Sequence, residues 1–512
     1  MIACNILVET ATFVVIEKDL VCGRPGRGAA RGCFAACALL CGACAVGPDF
    51  HAPTAPAAGR IPAEPLPVHT VATPGAGGEP QAFVQAAAVP SRWWTLYGSD
   101  QLDRLVEQAL RSSPTVEAAQ AALLQAQENL NAQRGGLLPS MAGNLNATRQ
   151  KVNGASQGLP QLGGFLYTLY NASVSLSYNL DVFGGVRRGI EFQEAARDGQ
   201  RNQMQAACQT LVANVVTAAV LEASLRAQTD ASRELVASAQ RQLDLTRKQF
   251  ELGSAPRSAV LTAEANLASF EAGLPPLQQQ LTAVRSQLAI YIGEAPDQYD
   301  EPAFDLDALR LPREIPEILP AGLVRQRPDI RQAEAQLHQA SAGIGVATAN
   351  LLPQIGISGN FGDTSVSLGD LLKANEFSLG VSLTQPLYEG GALTARRRAA
   401  IDAYDQALAQ YRQTVLLALK AVADSLRALD NDAQTLAAQY RAQSSATESL
   451  TLIEQRFRYG SASNLELLTA QQQFQRARIG YVQALAARYA DTAALFLALG
   501  GDWDSRIVGS AP

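Results

Sequence analysis

The chain has 512 residues, 47% of them hydrophobic, which is long enough for several domains and apolar enough for a real core, so disorder throughout is excluded. Charged residues are only 17%, against roughly 25% in an ordinary soluble domain, and alanine is about one residue in six, a profile of closely packed helices. A balance of 41 Lys and Arg against 47 Asp and Glu gives a net charge of -6, with no basic field for nucleic acid, and three scattered histidines (His51, His69, His338) leave a metal site without ligands.

Six of the seven cysteines (Cys4, Cys22, Cys33, Cys37, Cys41, Cys44) precede residue 45. Arg24, Arg27 and Arg31 lead into an uncharged run of 11 residues from Cys33 to Ala43, the length of a signal-peptide core and about half a membrane span. It ends in Cys41-Gly42-Ala43-Cys44, similar to a bacterial lipobox with Cys41 where leucine is usual, which makes Cys44 a candidate for lipid attachment. An ordinary cleaved signal with incidental cysteines is the alternative. Residues 1–43 are expected to be a signal peptide, the first 22 or so an extension upstream of the true start. Removing it leaves Cys208 alone, an inert small hydrophobe. Residues 44–90, rich in Pro, Ala and Gly, read as an extended linker that would hold a lipid on a long leash.

Beyond the linker the sequence is written twice. Pro114-Thr115-Val116 and Leu137-Leu138-Pro139 match Pro328-Asp329-Ile330 and Leu351-Leu352-Pro353 at an offset of 214. Phe250-Glu251-Leu252-Gly253-Ser254-Ala255 matches Phe457-Arg458-Tyr459-Gly460-Ser461-Ala462 at 207, and Gly293 matches Gly500. The drop falls in the strand-forming segment between the matched blocks. The expected organisation is a first repeat at 91–300, a second at 301–500 and a tail at 501–512.

Each repeat reads helix, strand, strand, very long helix, helix. Proline at the first turn and Leu138-Pro139 bound a helix from about Pro114 to Arg134. Leu166, Tyr170, Ala172, Val174, Leu176, Tyr178 and Leu180 then alternate with Asn171, Ser173, Ser175, Ser177, Asn179 and Asp181, giving a strand with one greasy and one wet face. In the second repeat Phe377, Leu379, Val381 and Leu383 alternate with small polar residues, and Ile355, Ile357 and Phe361 are expected on a shorter partner strand. Neither Gly nor Pro occurs over the 68 residues from Ala392 to Tyr459, a helix of about 100 Å at ~1.5 Å per residue. Val236, Leu243 and Phe250 show heptad spacing in an Ala-rich seam. One returning helix of about 55 Å is expected from Arg257 to Ile292, and with the helix before the strands it would match the long one.

Four strands with one apolar face are too few to close a barrel, and an open edge in lipid leaves backbone groups unpaired, so the chain must oligomerise. Three copies would give twelve strands, continued by a helical tube roughly 100 Å deep. An enzyme would need converging acid, base or nucleophile groups, which are not evident. A coiled-coil adhesin would explain the helices but not the paired strands.

Four stretches resemble the TolC-like outer-membrane efflux factors, and their NodT/OprM-type lipoprotein branch above all: Cys44-Ala45-Val46-Gly47-Pro48-Asp49-Phe50; Trp93-Trp94-Thr95-Leu96-Tyr97 with Leu102 and Leu105; Asp181-Val182-Phe183-Gly184; and Pro386-Leu387-Tyr388-Glu389-Gly390-Gly391. The resemblance spans Cys44 to Gly500. It implies a mainly α fold with a membrane β-barrel: a trimer with a 12-stranded barrel, four strands per chain, in the outer membrane and an α-helical barrel in the periplasm. No cofactor is implied. The implied partners are a periplasmic adaptor and an inner-membrane pump, usually of the proton-driven RND class, passing small molecules outward. A channel for type I protein secretion is the alternative, and the lipobox and Pro-rich leash favour efflux.

Candidate sites follow. Gly253-Ser254-Ala255 and Gly460-Ser461-Ala462 turn the long helices back and, by resemblance, meet the adaptor. Glu466 stands where relatives carry an acid ring at the channel constriction, with Thr469 in place of a second Asp; a solvated helix acid is the alternative. Tyr170, Val174, Leu176, Tyr178, Phe377, Leu379, Val381 and Leu383 are the expected lipid-facing residues. Trp93 and Trp94 are expected to anchor packing rather than to touch cargo.

Overall fold

Proline and glycine punctuate the chain, and its elements start and stop at them. The computed structural model describes residues 45–54, 65–85, 89–153, 164–317, 322, 326–371, 373 and 375–501; the expected signal peptide, Cys44 and the tail beyond Gly501 lie outside these. From Val46 onward the described residues form one unit. In chain order the elements are β1 (Ala82–Gln85), α1 (Asp100–Ser112), α2 (Pro114–Gly135), β2 (Ser140–Val152), β3 (Phe165–Leu180), α3 (Gly185–Glu251), α4 (Arg257–Glu271), α5 (Leu274–Tyr291), β4 (Glu314–Glu317), α6 (Pro328–Ala349), β5 (Gln354–Ser365), β6 (Asn375–Thr384), α7 (Ala392–Arg458) and α8 (Asn464–Leu499).

The order from α2 to α5 recurs from α6 to α8, so the duplication is one of structure as well as of sequence. Both α2 and α6 begin with proline, whose missing N–H belongs to the unpaired first turn in any case. Each of α3 and α7 runs 67 residues, about 100 Å at ~1.5 Å per residue, with no proline to break it. Both are entered through a left-handed glycine, Gly184 at φ 75° and Gly391 at φ 83°. Along α3 pack α2, α4 and α5; along α7 pack α6 and α8, so two shorter rods cover each long one. Both α6 and α8 also pack on α3, which joins the two repeats.

Three expectations change. The returning helix of the first repeat is not continuous from Arg257 to Ile292: it stops at Glu271 and restarts at Leu274, because Pro275 and Pro276 cannot donate to the preceding turn. The strand carrying Ile355, Ile357 and Phe361 is not the shorter of its pair, with 12 residues in β5 against 10 in β6. Among the strands of the second repeat the larger shortening is in β6, whose counterpart β3 has 16 residues. Third, the segment after Cys44 is no free leash. The Thr70 and Gln81 backbones bond each other, β1 pairs in parallel with β4, and the fully buried Arg488 of α8 donates to the Gly77 and Glu79 carbonyls at 3.1 and 2.8 Å and to Thr70 Oγ1 at 3.1 Å.

The main core sits where these segments cross the helices. Trp94 and Tyr97 are fully buried, Trp93 stacks on Phe496 with ring centroids 5.3 Å apart, and the Tyr97 hydroxyl donates to the Tyr489 carbonyl at 2.7 Å. The two tryptophans anchor packing, as their sequence context predicts. Cys208 is buried in the same core, which pushes its thiol up to about 11 and keeps it inert. A second, smaller core of Leu235, Ala239, Leu243, Val260, Leu267 and Phe270 lies toward the far end of α3. The heptad seam holds through Leu243 and ends at Phe250, which is 40% exposed.

Candidate functional site

Hydrogen bonding across both hairpins builds one antiparallel sheet in the order β2-β3-β5-β6. Its register puts like with like. Met141, Leu176, Gly359 and Leu379 form one row across all four strands; Leu145 pairs with Ala172, Val174 with Phe361 and Phe361 with Phe377; Tyr178, Ile357 and Val381 form another row. The intervening rows are polar, as in Ala142, Ser175, Asn360 and Ser378 or Asn144 and Ser173. A slip of one residue would send every apolar side chain to the wrong face, so this pattern fixes the pairing. All eight residues expected to face lipid share the apolar face. On β6 they stand bare, Phe377 at 82% and Leu379 at 75% exposed. The strands, 10 to 16 residues long, meet or exceed the roughly 9 to 11 that cross a bilayer when tilted. Met141 (72% exposed) and Leu145 (78%) on β2 extend this face. They give no clear signal in the sequence because Gly143 and Ala147 dilute the alternation.

Below the sheet, Asp181 explains its own motif: its carboxylate accepts the Val186 and Arg187 backbone N–H groups at 2.8 and 2.9 Å, capping α3. At the other end of the long helices the two turns are near copies. Gly253 and Gly460 have φ 74° and 73°, and their N–H groups donate to the Phe250 and Phe457 carbonyls at 2.9 Å. Ser254 and Ser461 each donate backbone N–H and Oγ to the carbonyl five residues back, Gln249 and Arg456. Leu252 and Tyr459, just before the glycines, are 84% and 88% exposed. The tips are neighbours, since Gln242 of α3 donates to Asn464 at the start of α8 across 3.2 Å.

Glu466 is the third residue of α8 and closes a capping box: its carboxylate accepts the Ser463 N–H at 2.6 Å, and its own N–H donates to Ser463 Oγ at 3.2 Å. The bonds from Ser463, and then Arg456 at 3.8 Å, hold its carboxyl below the usual glutamate range. Thr469 is turned back along the helix, donating to the Leu465 carbonyl at 2.8 Å.

One cluster escaped the sequence. Arg188, in the first turn of α3, is only 6% exposed and donates Nε to the Val46 carbonyl at 3.1 Å, Nη2 to Asp49 at 2.9 Å and Nη1 to Glu191 at 2.7 Å. Phe50 stacks on His338 of α6 at 4.4 Å, and the His338 ring nitrogen meets Glu191 at 2.9 Å. The Val46 N–H donates to the Phe183 carbonyl at 3.1 Å. Partners some 140 residues apart leave no local signal. Among the described residues no group of three or more His, Cys, Asp or Glu could hold a metal.

Comparison with known proteins agrees with this architecture. The profile of a family described as outer membrane efflux protein matches residues 105–294 and 319–501. The chain is 30% identical to the pyoverdine export outer membrane protein OpmQ of Pseudomonas aeruginosa, over 82% of this chain and 89% of that protein. It is 29% identical to nodulation protein T of Rhizobium leguminosarum bv. viciae, over 92% and 93%. The solved outer-membrane channel OprN superposes with a TM-score of 0.78 at 26% identity, covering 90% of this chain and all of that one. With a repeated helical unit, a two-faced sheet and twin reversing tips, the chain belongs to the outer membrane efflux protein family, in its NodT/OprM-type branch, and is an outer-membrane channel subunit of an efflux system.

Proposed function

We propose that three copies close a twelve-stranded barrel in the outer membrane, that their helices continue it as a tube through the periplasm, and that Cys44 carries a lipid, palmitate among its acyl groups. The observation that carries the reading is the sheet. Its apolar face is bare on the two edge strands, β2 and β6, and these edges have no strand partner among the described residues. Unpaired edge groups cost several kcal/mol each in hydrocarbon, so a lone copy is not a stable state there. The twin tips, Gly253-Ser254-Ala255 and Gly460-Ser461-Ala462, are the surface for a periplasmic adaptor, which joins the channel to an inner-membrane pump of the RND class. Glu466 and Thr469 line the constriction. Export of pyoverdine by a relative 30% identical supports small molecules, drugs and toxic compounds among them, as cargo.

Native mass spectrometry of the detergent-extracted complex tests the assembly: a trimer is expected, and a monomer or dimer overturns the barrel. Deleting the channel in its host tests the cargo class. Slower efflux of a small fluorescent dye is expected, whereas unchanged efflux with loss of a secreted protein would assign the channel to type I secretion instead.

A further inference from the structure

The helices below the sheet stand in one row, α2, α3, α6 and α7, each in contact with the next. The duplication makes the junctions of this row comparable. Residues 114–135 of α2 fall on 328–349 of α6 at the offset of 214, and residues 185–251 of α3 fall on 392–458 of α7 at 207, without a gap. The junction of α2 with α3 therefore recurs as that of α6 with α7. The junction of α3 with α6 has no second example within the chain, because α2 and α7 end the row.

That central junction has a definite register. A Cβ on Gly185 of α3 would stand 3.1 Å from Ala349 Cβ of α6, one on Gly345 would stand 2.7 Å from Arg188 Cγ, and one on Gly199 would stand 3.8 Å from Ala335 Cβ. The two helices are antiparallel, so these contacts set Glu191 and Phe192 at the level of Ala342, which is fully buried. Glu191 meets His338 at 2.9 Å. The side of α6 applied to α3 is thus Ala335, His338, Ala342, Gly345 and Ala349, spaced three and four apart. Its counterparts on α2 are Ala121, Leu124, Glu128, Asn131 and Gly135, and all of them are exposed. On α7 the counterparts of Arg188, Phe192, Ala195 and Gly199 are Ala395, Ala399, Asp402 and Gln406, again all exposed. The two ends of the row present the two halves of a contact that the chain makes once inside itself.

Charge singles out one pair in this second contact. Arg398 of α7, the counterpart of Glu191, and Glu128 of α2, the counterpart of Ala342, fall at one level in the same register. Neither has an ion-pair partner among the described residues; Glu128 accepts only from the Asn131 side chain of its own helix, at 3.3 Å. Asp402, one turn beyond Arg398, is a second acid within its reach.

We propose that α2 of one copy lies on α7 of the next at the register α6 takes on α3, and that Arg398 there pairs with Glu128 of the neighbouring copy. The proposal rests on the reading that copies assemble side by side. Its charges are inverted relative to the junction within the chain, where the long helix supplies the acid, Glu191, and the short helix the base, His338. An α2 set in the seat of α6 would bring Glu128 against Glu191, and an α6 set in the seat of α2 would leave Arg398 facing an imidazole instead of a carboxylate. The inversion therefore rejects the wrong junction as well as favouring the right one. Unlike faces at the two ends of a row join head to tail, which closes a ring.

The test uses the full-length chain as its detergent-extracted complex. Arg398→Glu and Glu128→Arg are each expected to raise the concentration at which the complex half dissociates by about tenfold or more, and the two together to bring it back near the parent's, because the pair re-forms with its ends exchanged. Arg397→Glu, ~100° round the helix from Arg398, is expected to have little effect. Disulfides read the register separately. Gln406→Cys with Ala121→Cys, the counterparts of Gly199 and Ala335, should cross-link copies under mild oxidation, since the 3.8 Å between those Cβ positions suits a disulfide. Gln406→Cys with Gly135→Cys, displaced by about 20 Å along the helix, should not. A double charge reversal no better than either single one overturns the ion pair, and failure of the matched cysteines to cross-link overturns the register; in both cases a trimeric parent leaves the assembly reading standing. A parent that is monomeric overturns the assembly reading itself, whatever the variants do.

Discussion

In the first repeat the returning helix stops after 15 residues and begins again as α5; in the second it runs 36 residues unbroken. The aligned residues isolate the cause. At the offset of 207, Gly273-Leu274-Pro275-Pro276 falls on Gly480-Tyr481-Val482-Gln483. Both repeats have the glycine, so it is the proline pair that divides the first helix. Gly480 serves packing instead, since a Cβ there would stand 2.6 Å from Gln439 Oε1 of α7. The starts differ too. Ser463 and Glu466 cap α8, while α4 begins after Pro256 with no side-chain cap. Buried charge also differs. In the first repeat Glu222, fully buried, pairs with Arg285 at 2.9 Å. In the second, Asp432 of α7 meets Asp491 of α8 near Arg488, where the first repeat has Leu225 and Val284. A duplicated unit has kept its outline while one copy gained a joint and the other a continuous, capped rod.

The sharpest way to break this comparison is to move the joint. Gln483→Pro removes an interior hydrogen bond of α8 and should cost roughly 3 kcal/mol or more in chemical unfolding, while Gln483→Ala, which loses only the contact with Gln228 at 3.1 Å, costs far less. Pro276→Ala should be nearly silent. Equal losses from Gln483→Pro and Pro276→Ala would place the cause of the break elsewhere.

The sheet sets the next test, because there the repeats are expected to behave alike. Leu176 and Leu379 lie in one row on either side of Gly359, at one depth. Arg at either should lower stability in bilayers by about 2–4 kcal/mol if that row lies near the midplane, and Arg at Ser175 or Ser378, in the neighbouring polar row, by much less. Equal tolerance on both faces would refute their assignment.

A smaller effect comes from the acid pair. Burial first, and then the hydrogen bond with Asp491, raise the Asp432 carboxyl to about 7. A carboxyl whose folded value lies above its unfolded one favours the folded state while protonated, so its contribution is lost as pH rises from about 4 through 7. The parent should therefore gain stability between pH 8 and pH 5 relative to Asp432→Asn, in thermal melts across that range. A parallel dependence in the two proteins would exclude the pair.

The cap gives the smallest change in stability. Ser463→Ala should cost about 1 kcal/mol and Pro256→Ala almost nothing. Glu466→Gln keeps a side chain able to close the box yet removes the charge, which separates the two roles of this residue. In planar bilayers it should reduce cation preference with the trimer intact, while Glu251→Gln at the first tip leaves it unchanged. Because the Ser463 bonds depress the Glu466 carboxyl, both the cap and the charge persist at neutral pH and fade together as pH falls through that lowered value. Unchanged selectivity in Glu466→Gln would leave Glu466 a capping residue alone.

What the sequence revealed was whatever repeats locally. The period of β3, the proline that opens α2, the Gly-free stretch of α7 and the offset between Gly253 and Gly460 are each set by neighbouring residues. The break at Gly273 is legible as well, in Pro275 and Pro276, but the match in length between the two stacked shorter helices and the long one conceals it. Arg188 and Arg488 were not legible. Arg188 reads as half of an arginine pair at a helix start and Arg488 as a lone basic residue in a helix, and the carbonyls that explain them belong to a Pro- and Gly-rich stretch whose composition resembles that of a linker. Glu466 lies between these cases: its spacing from Ser463 predicts a cap, and nothing local predicts a pore.

The bonds from Arg488 to Gly77 and from Tyr97 to Tyr489 join residues 411 and 392 positions apart. A ribosome releases one partner long before the other exists, so the main core cannot close during synthesis, and the early chain has only its local helices to form. A chain cut short before α8 would expose Trp93, Tyr97 and the Thr70 to Gln81 segment together, an apolar and hydrogen-bond-hungry surface suited to capture by quality-control proteases. The lock between the Thr70 to Tyr97 region and α8 therefore closes only once α8 is in place.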